Sequence, residues 1–211
     1  MELYFLRHGD AEVALFNTPR ADFESGLSEI GAEDVLKGAL AMKMFITKFD
    51  IIFTSPLKRA VQTATIYGKV FKCTDRIKKL DALMPPGNLR ALLETIAFQG
   101  NFERVLCVGH EPSLGIMATE ILTGIEEENM FPLKKAGIMC IEMKKPQIDA
   151  ESELLYLVHP MFLAKIGEVP FKSAMYAGFL DTSHDIEPES QQSGTGDMDE
   201  ADAPSLEDLQ L

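Results

Sequence analysis

Hydrophobic positions in this chain follow two rhythms. Short apolar runs at Leu3–Leu6 and Val105–Val108, and the apolar centre of Asp50–Thr54, read as buried strands covered on both faces. Between them the apolar residues recur at helical spacing. Val35, Ala39, Met42, Ile46 and Phe49 mark one face of a helix expected over residues 28–48, with Ser28 as its N-cap. Ser55-Pro56 reads as the start of a second helix, Ser capping and Pro in the first turn, with Leu57, Val61, Ala64, Gly68 and Phe71 on its inner face. Residues 73–83 hold a short strand and its connection, Pro85-Pro86-Gly87 is a loop, and Asn88 caps a helix running to Phe98. Pro112 opens a helix to about Leu122. Gly137–Met143 and Leu154–Val158 read as later strands, and Met161–Ile166 as a short closing helix. This alternation predicts an α/β fold, a three-layer α/β/α sandwich with a largely parallel central sheet.

Charge changes the picture at one end. The chain has 211 residues and a net charge of −13, from 20 Lys+Arg against 33 Asp+Glu. Ten of the acids and none of the bases fall in residues 181–211, which leaves 23 acids against 20 bases in residues 1–180. We therefore expect one domain over 1–180 and an acidic tail over 181–211, disordered through 205 because it holds too little apolar surface to offset ordering. A near-neutral domain with an acidic tail argues against nucleic acid as a partner. No apolar stretch is long enough to span a membrane, and the opening residues are charged too soon for a signal peptide. Cys73, Cys107 and Cys140 are odd in number and far apart, which fits neither a disulfide framework nor a zinc site. The expected setting is cytoplasmic.

The candidate chemistry sits where the buried strands end. The first ends in Arg7-His8-Gly9-Asp10, the second in Thr54-Ser55-Pro56 with Arg59 close behind, and the third in Gly109-His110-Glu111-Pro112. In open α/β sheets ligands bind outside the carboxyl ends of the strands. If these strands are neighbours, two Arg and two His meet in one crevice. Guanidinium forks match phosphate oxygens, and helix N-termini favour an anion. One imidazole must be neutral to attack, and nearby Arg charges push its pKa down. Gly9 lets the backbone approach the ring and set its tautomer. The set reads as a phosphoryl-transfer site using a covalent phosphohistidine. Two guanidiniums beside His8, Asp10 and His110 argue against a bound cation, so neither a metal nor a cofactor is expected.

At these residues the chain resembles the histidine phosphatase superfamily, formerly grouped with the phosphoglycerate mutases. Arg7-His8-Gly9 matches its RHG signature, Ser55–Ala64 its SPLxRAxQTA segment and Val108–Pro112 its xGHxP segment. The opening through Ala11 and the ending Val158–Lys165 are most similar to SixA-type phosphohistidine phosphatases. The resemblance implies a phosphoglycerate mutase-like fold over roughly residues 1–166. It also implies that His8 is the nucleophile, that Arg7 and Arg59 clamp the phosphoryl group, and that His110 donates to it.

The departures are informative. Larger members of the family carry a carboxylate near the region equivalent to 81–87 that protonates an ester leaving group; here Asp81 is the only acid, in the wrong register. An imidazole leaving group needs less help than an alkoxide, so the expected substrate is phosphohistidine on a signalling or phosphotransfer protein. A small phosphorylated metabolite is the alternative, and a non-catalytic phosphohistidine-binding module a further one. SixA-type proteins often show Asp-x-x-Arg before the segment aligned with Leu27-Ser28. Asp22 is present as a candidate substrate contact, Ser25 replaces the Arg, and Arg20 is a possible substitute. Glu111 is expected to be a solvated acid at a helix start, and His159 to be structural.

Overall fold

A computed structural model of the chain describes residues 1–12, 18–148 and 150–168. One compact unit spans Met1–Val169, and the tail expected over 181–211 lies outside the described residues. The elements are β1 (Glu2–Arg7), α1 (Pro19–Glu24), α2 (Glu29–Lys43), β2 (Ile51–Thr54), α3 (Lys58–Phe71), β3 (Ile77–Lys79), α4 (Leu89–Gln99), β4 (Arg104–Gly109), α5 (Ser113–Thr123), β5 (Ile138–Met143), β6 (Ser152–Val158) and α6 (Pro160–Ile166).

One sheet carries the order β3-β2-β4-β1-β5-β6. The first four strands run parallel, while β5 and β6 are antiparallel additions beyond β1. Alternate residues of each strand face opposite layers. Leu3, Phe5, Ile51, Phe53, Val105 and Cys107 join the inner faces of α4 and α5. On the other face Tyr4 meets Phe49 edge to face, with ring centroids 5.2 Å apart, and Phe49 packs on Phe71 and Tyr67 of α3. The helices α2, α3 and α6 pack together there. Both faces are therefore covered, which explains why the central strands read as continuous apolar runs.

Ser28 caps α2 as expected, its hydroxyl accepting from the Gly31 N–H. The helix stops at Lys43, however, short of the expected 48. Ile46 and Phe49 keep the spacing of the helix face, but they reach the core from the connection to β2. Asn88 caps α4 by accepting from the Ala91 N–H, and His159 caps α6 through Nδ1. Cys73, Cys107 and Cys140 are buried free thiols. Among the described residues no helix is long and apolar enough to cross a membrane.

The chain leaves β1 toward the α2 and α3 layer and leaves β4 toward the α5 layer. Because β1 and β4 are adjacent, their departing loops part over a crevice at the carboxyl edge of the sheet.

Candidate active site

Strand register brings the motif residues level. Arg7 of β1 pairs with Gly109 of β4, and Thr54 of β2 pairs with Val108. The next residue on each strand is therefore His8, His110 or Ser55. Backbone bonds hold this row: the His8 N–H donates to the Gly109 carbonyl at 3.1 Å, and the Ser55 N–H to the Val108 carbonyl at 2.9 Å. The two imidazoles lie with centroids 4.9 Å apart at 55°. His8 is 7% exposed and His110 2%. They line an open cavity of ≈ 360 Å³ together with Arg7, Arg59, Glu111, Asp22 and Lys135.

The partners of His8 specify its tautomer. Its Nδ1 lies 2.7 Å from the Gly9 carbonyl. A carbonyl only accepts, so Nδ1 carries the proton and Nε2 keeps its lone pair. The Gly9 N–H in turn donates to Thr63 Oγ1, and a Cβ on Gly9 would lie 2.6 Å from both the Gly31 carbonyl oxygen and a Val35 methyl. The glycine is required by this close approach of α2. Burial lowers the His8 pKa to about 4, and the charges of Arg59, Arg7 and Lys135 push the same way. The direction agrees with the sequence argument, but desolvation, not the arginines, is the larger cause.

Ser55 differs from its expected role. The helix begins at Lys58 with Leu57 at the capping position, and no side chain caps it. The Ser55 hydroxyl instead lies 2.8 Å from His110 Nε2 and accepts from the Leu57 N–H at 3.4 Å. The buried ring is its main partner, so the N-cap reading of Ser55 is corrected. His110 Nδ1 is buried without a hydrogen-bond partner among the described residues. Burial lowers this pKa to about 3, with His8 and the two arginines adding to it.

The rest of the Ser55–Ala64 segment organises the surroundings. Arg59 comes from the first turn of α3 and is largely buried, its side chain 11% exposed. It donates to the Asp22 carbonyl at 2.7 Å and to the Asp22 carboxylate at 3.2–3.3 Å. Asp22, on α1, thus stands at the cavity rim as the partner of Arg59. Gln62 Oε1 accepts from the Leu27 N–H, which ties the loop before α2 to α3. Arg7 donates from Nη1 to the Leu133 carbonyl at 2.9 Å.

Several expectations at the rim change. Glu111 is not a solvated acid: its carboxylate accepts from Asn129 Nδ2 at 2.9 Å and from the Leu133 N–H at 3.0 Å. A loop folding back over α5 supplies both donors. Ser25 donates to the Glu12 carbonyl, and Arg20 is not among the lining residues. Asp81 lies in a 3₁₀ turn and does not line the cavity, whereas Pro85 does. Two lining residues escaped the sequence reading, Glu12 and Lys135. Lys135 pairs with Asp10 at 2.5 Å, across 125 residues, and no local pattern marks it. Among the described residues, no group of three or more His, Cys, Asp or Glu is arranged to hold a metal ion.

Comparison with known proteins adds to this geometry. The profile of the histidine phosphatase superfamily (branch 1) matches residues 3–84, the part that carries Arg7, His8 and Arg59. An uncharacterised protein of Picosynechococcus sp. is 34% identical over 174 residues, covering 77% of this chain and 99% of that protein. The structure of the protein histidine phosphatase SixA complexed with tungstate superposes with a TM-score of 0.64 at 22% identity, over 77% of this chain and 99% of that one. A phosphoserine phosphatase of Entamoeba histolytica in complex with phosphoserine superposes with a TM-score of 0.54 at 18% identity, over 74% and 95%. Each superposition shows a shared fold. Taken with the profile match and the near full-length relative, it places this chain in the histidine phosphatase superfamily, to which it belongs.

Proposed function

We propose that the protein is a phosphatase that works through a covalent phosphohistidine at His8 and takes phosphohistidine on a partner protein as its substrate. The observation that carries the first part is the pair of buried imidazoles 4.9 Å apart in one cavity with two guanidiniums, where burial lowers both ring pKa values. The lone pair on His8 Nε2 attacks phosphorus, a new N–P bond forms, and the substrate's own bond to phosphorus breaks. Arg7 and Arg59 neutralise the phosphoryl oxygens. We take the Ser55 hydroxyl as the donor to His110 Nε2, which puts the ring proton on Nδ1 and makes His110 a donor to the transferring group. Water then attacks phospho-His8, releasing inorganic phosphate and restoring the ring. The residues themselves supply this chemistry, with no cofactor in the scheme.

The substrate assignment rests on the acids. Asp81 stands off the cavity, Asp22 is occupied by Arg59, and Glu111 by Asn129 and Leu133. Such a site suits a leaving imidazole, which takes its proton readily, over a leaving alkoxide. The SixA likeness and the open rim support a protein substrate. The buried free thiols support a reducing, cytoplasmic setting.

One observation favours a second reading. Glu12 lines the cavity, and a carboxylate there is a candidate acid for an ester such as a small phosphorylated metabolite. The test is phosphate release from a phosphohistidine peptide and from p-nitrophenyl phosphate without added metal, in wild type, His8→Ala and Glu12→Gln. Fast, His8-dependent release from the peptide with slow ester turnover supports the N–P phosphatase. Preferential ester turnover that Glu12→Gln abolishes establishes the second reading instead. Full activity in His8→Ala would remove His8 as nucleophile.

A further inference from the structure

We propose that Glu111 is a positioning residue for Arg7, acting through both polar groups of Leu133. This rests on the reading of Arg7 as a phosphoryl-binding group. The Leu133 N–H donates to Glu111 Oε1 at 3.0 Å, and the Leu133 carbonyl accepts from Arg7 Nη1 at 2.9 Å. One residue's backbone thus links the acid that follows His110 to the guanidinium that precedes His8. Asn129 steadies the other carboxylate oxygen at 2.9 Å, and the Met130 N–H ties the same loop to Thr119 of α5. The loop therefore has fixed anchors on α5 and on Glu111, and Arg7 depends on where they place Leu133. Arg7 Nε is buried and has no partner among the described residues, so the bond from Nη1 to the Leu133 carbonyl is what holds the guanidinium.

Reach and charge make opposite predictions at this position. Glu111 carries a negative charge beside an anion site, so a role through charge would oppose ligand binding. A role through reach needs only an acceptor at the Leu133 N–H. Gln keeps that acceptor, and turning the Asn129 amide over brings its Oδ1, buried without a partner among the described residues, to face the Gln amide in place of Nδ2. Asp keeps the charge but is one methylene shorter.

The experiment measures the Kd of tungstate, a tetrahedral anion, by calorimetry for wild type, Glu111→Gln, Glu111→Asp and Arg7→Ala, with each Glu111 variant also made in the Arg7→Ala background. Thermal melting checks folding. We expect Glu111→Gln to bind within about threefold of wild type and Glu111→Asp to bind about 10–100-fold more weakly, the usual scale for partners that orient a binding group. In the Arg7→Ala background the Asp substitution should add less than about twofold, because its effect travels through the missing side chain. Equal affinity of Glu111→Asp and wild type would overturn the proposal, as would an undiminished effect without Arg7. Wild type and Arg7→Ala binding tungstate equally would instead overturn the phosphoryl-binding role of Arg7, and the proposal with it.

Discussion

The inner wall of the cavity and its rim are built by different means. On the inner wall, His8, Ser55 and His110 follow directly from three adjacent parallel strands, and paired backbone groups set their spacing. Their side chains are buried, and each has a defined partner. On the rim, Asp22 is 64% exposed and the Lys135–Asp10 pair nearly half exposed, held by ion pairs in contact with water. Buried hydrogen bonds admit one geometry because an unmade one is costly, whereas exposed ion pairs contribute little and exchange readily. On the function proposed above, the wall would serve the chemical step and the rim the meeting with whatever carries the phosphate.

The comparison is sharpest at His110. His110→Ala removes the donor proposed for the transferring group and should lower kcat by about 10²–10³-fold, measured on the phosphohistidine peptide. A change of only a few-fold would put the wall on the same footing as the rim.

Acid stability separates the regions next. The folded pKa values of His8 and His110 lie at about 4 and about 3, below the ordinary 6.5. Both rings therefore stay neutral in the folded protein while the unfolded chain takes up protons below pH 6.5. The resulting stability is complete above that value and is lost as pH falls toward 4. The slope should approach about 1.4 kcal/mol per pH unit for each ring. Urea midpoints between pH 7 and 4.5 measure it, and His8→Ala should flatten the curve. An unchanged slope would mean that His8 protonates in place.

Ser55→Ala takes away the partner of His110 Nε2 without touching the ring. We expect about a tenfold loss in kcat with KM within about threefold. A loss confined to KM would show that Ser55 serves binding and not the ring's tautomer.

The rim should respond least. Asp22→Asn loosens Arg59 and should move KM by less than about fivefold, while Lys135→Ala should cost under about 1 kcal/mol of stability, as exposed pairs do. A hundredfold effect of either on turnover would erase the distinction between wall and rim.

Much of this was legible in the chain itself. The strands at Leu3–Leu6 and Val105–Val108 and the caps at Ser28 and Asn88 are local signals, and the structure carries each of them. The shortfall of α2 at Lys43 has a local look but a tertiary cause: Ile46 and Phe49 are buried whether or not the helix continues, so periodicity outlasts the helix. The motif residues at strand ends were legible because a parallel sheet puts such ends together. Glu12 has no such signal, since a single acid after a strand carries no period or spacing.

Residue order alone determined that buried strands alternate with helices, and that His and Arg lie where those strands end. Both follow from interactions within a few residues, where spacing maps directly onto a face or a cap. Only the tertiary structure decided what those residues touch. Ser55 meets His110 across 55 residues, Glu111 meets Leu133 across 22, and Asp10 meets Lys135 across 125. In each case a local role was available, a cap or a solvated acid or an unmarked loop charge. A partner brought by strand register or by a loop folding back took its place, because a buried or half-buried polar group binds the strongest partner that the fold delivers.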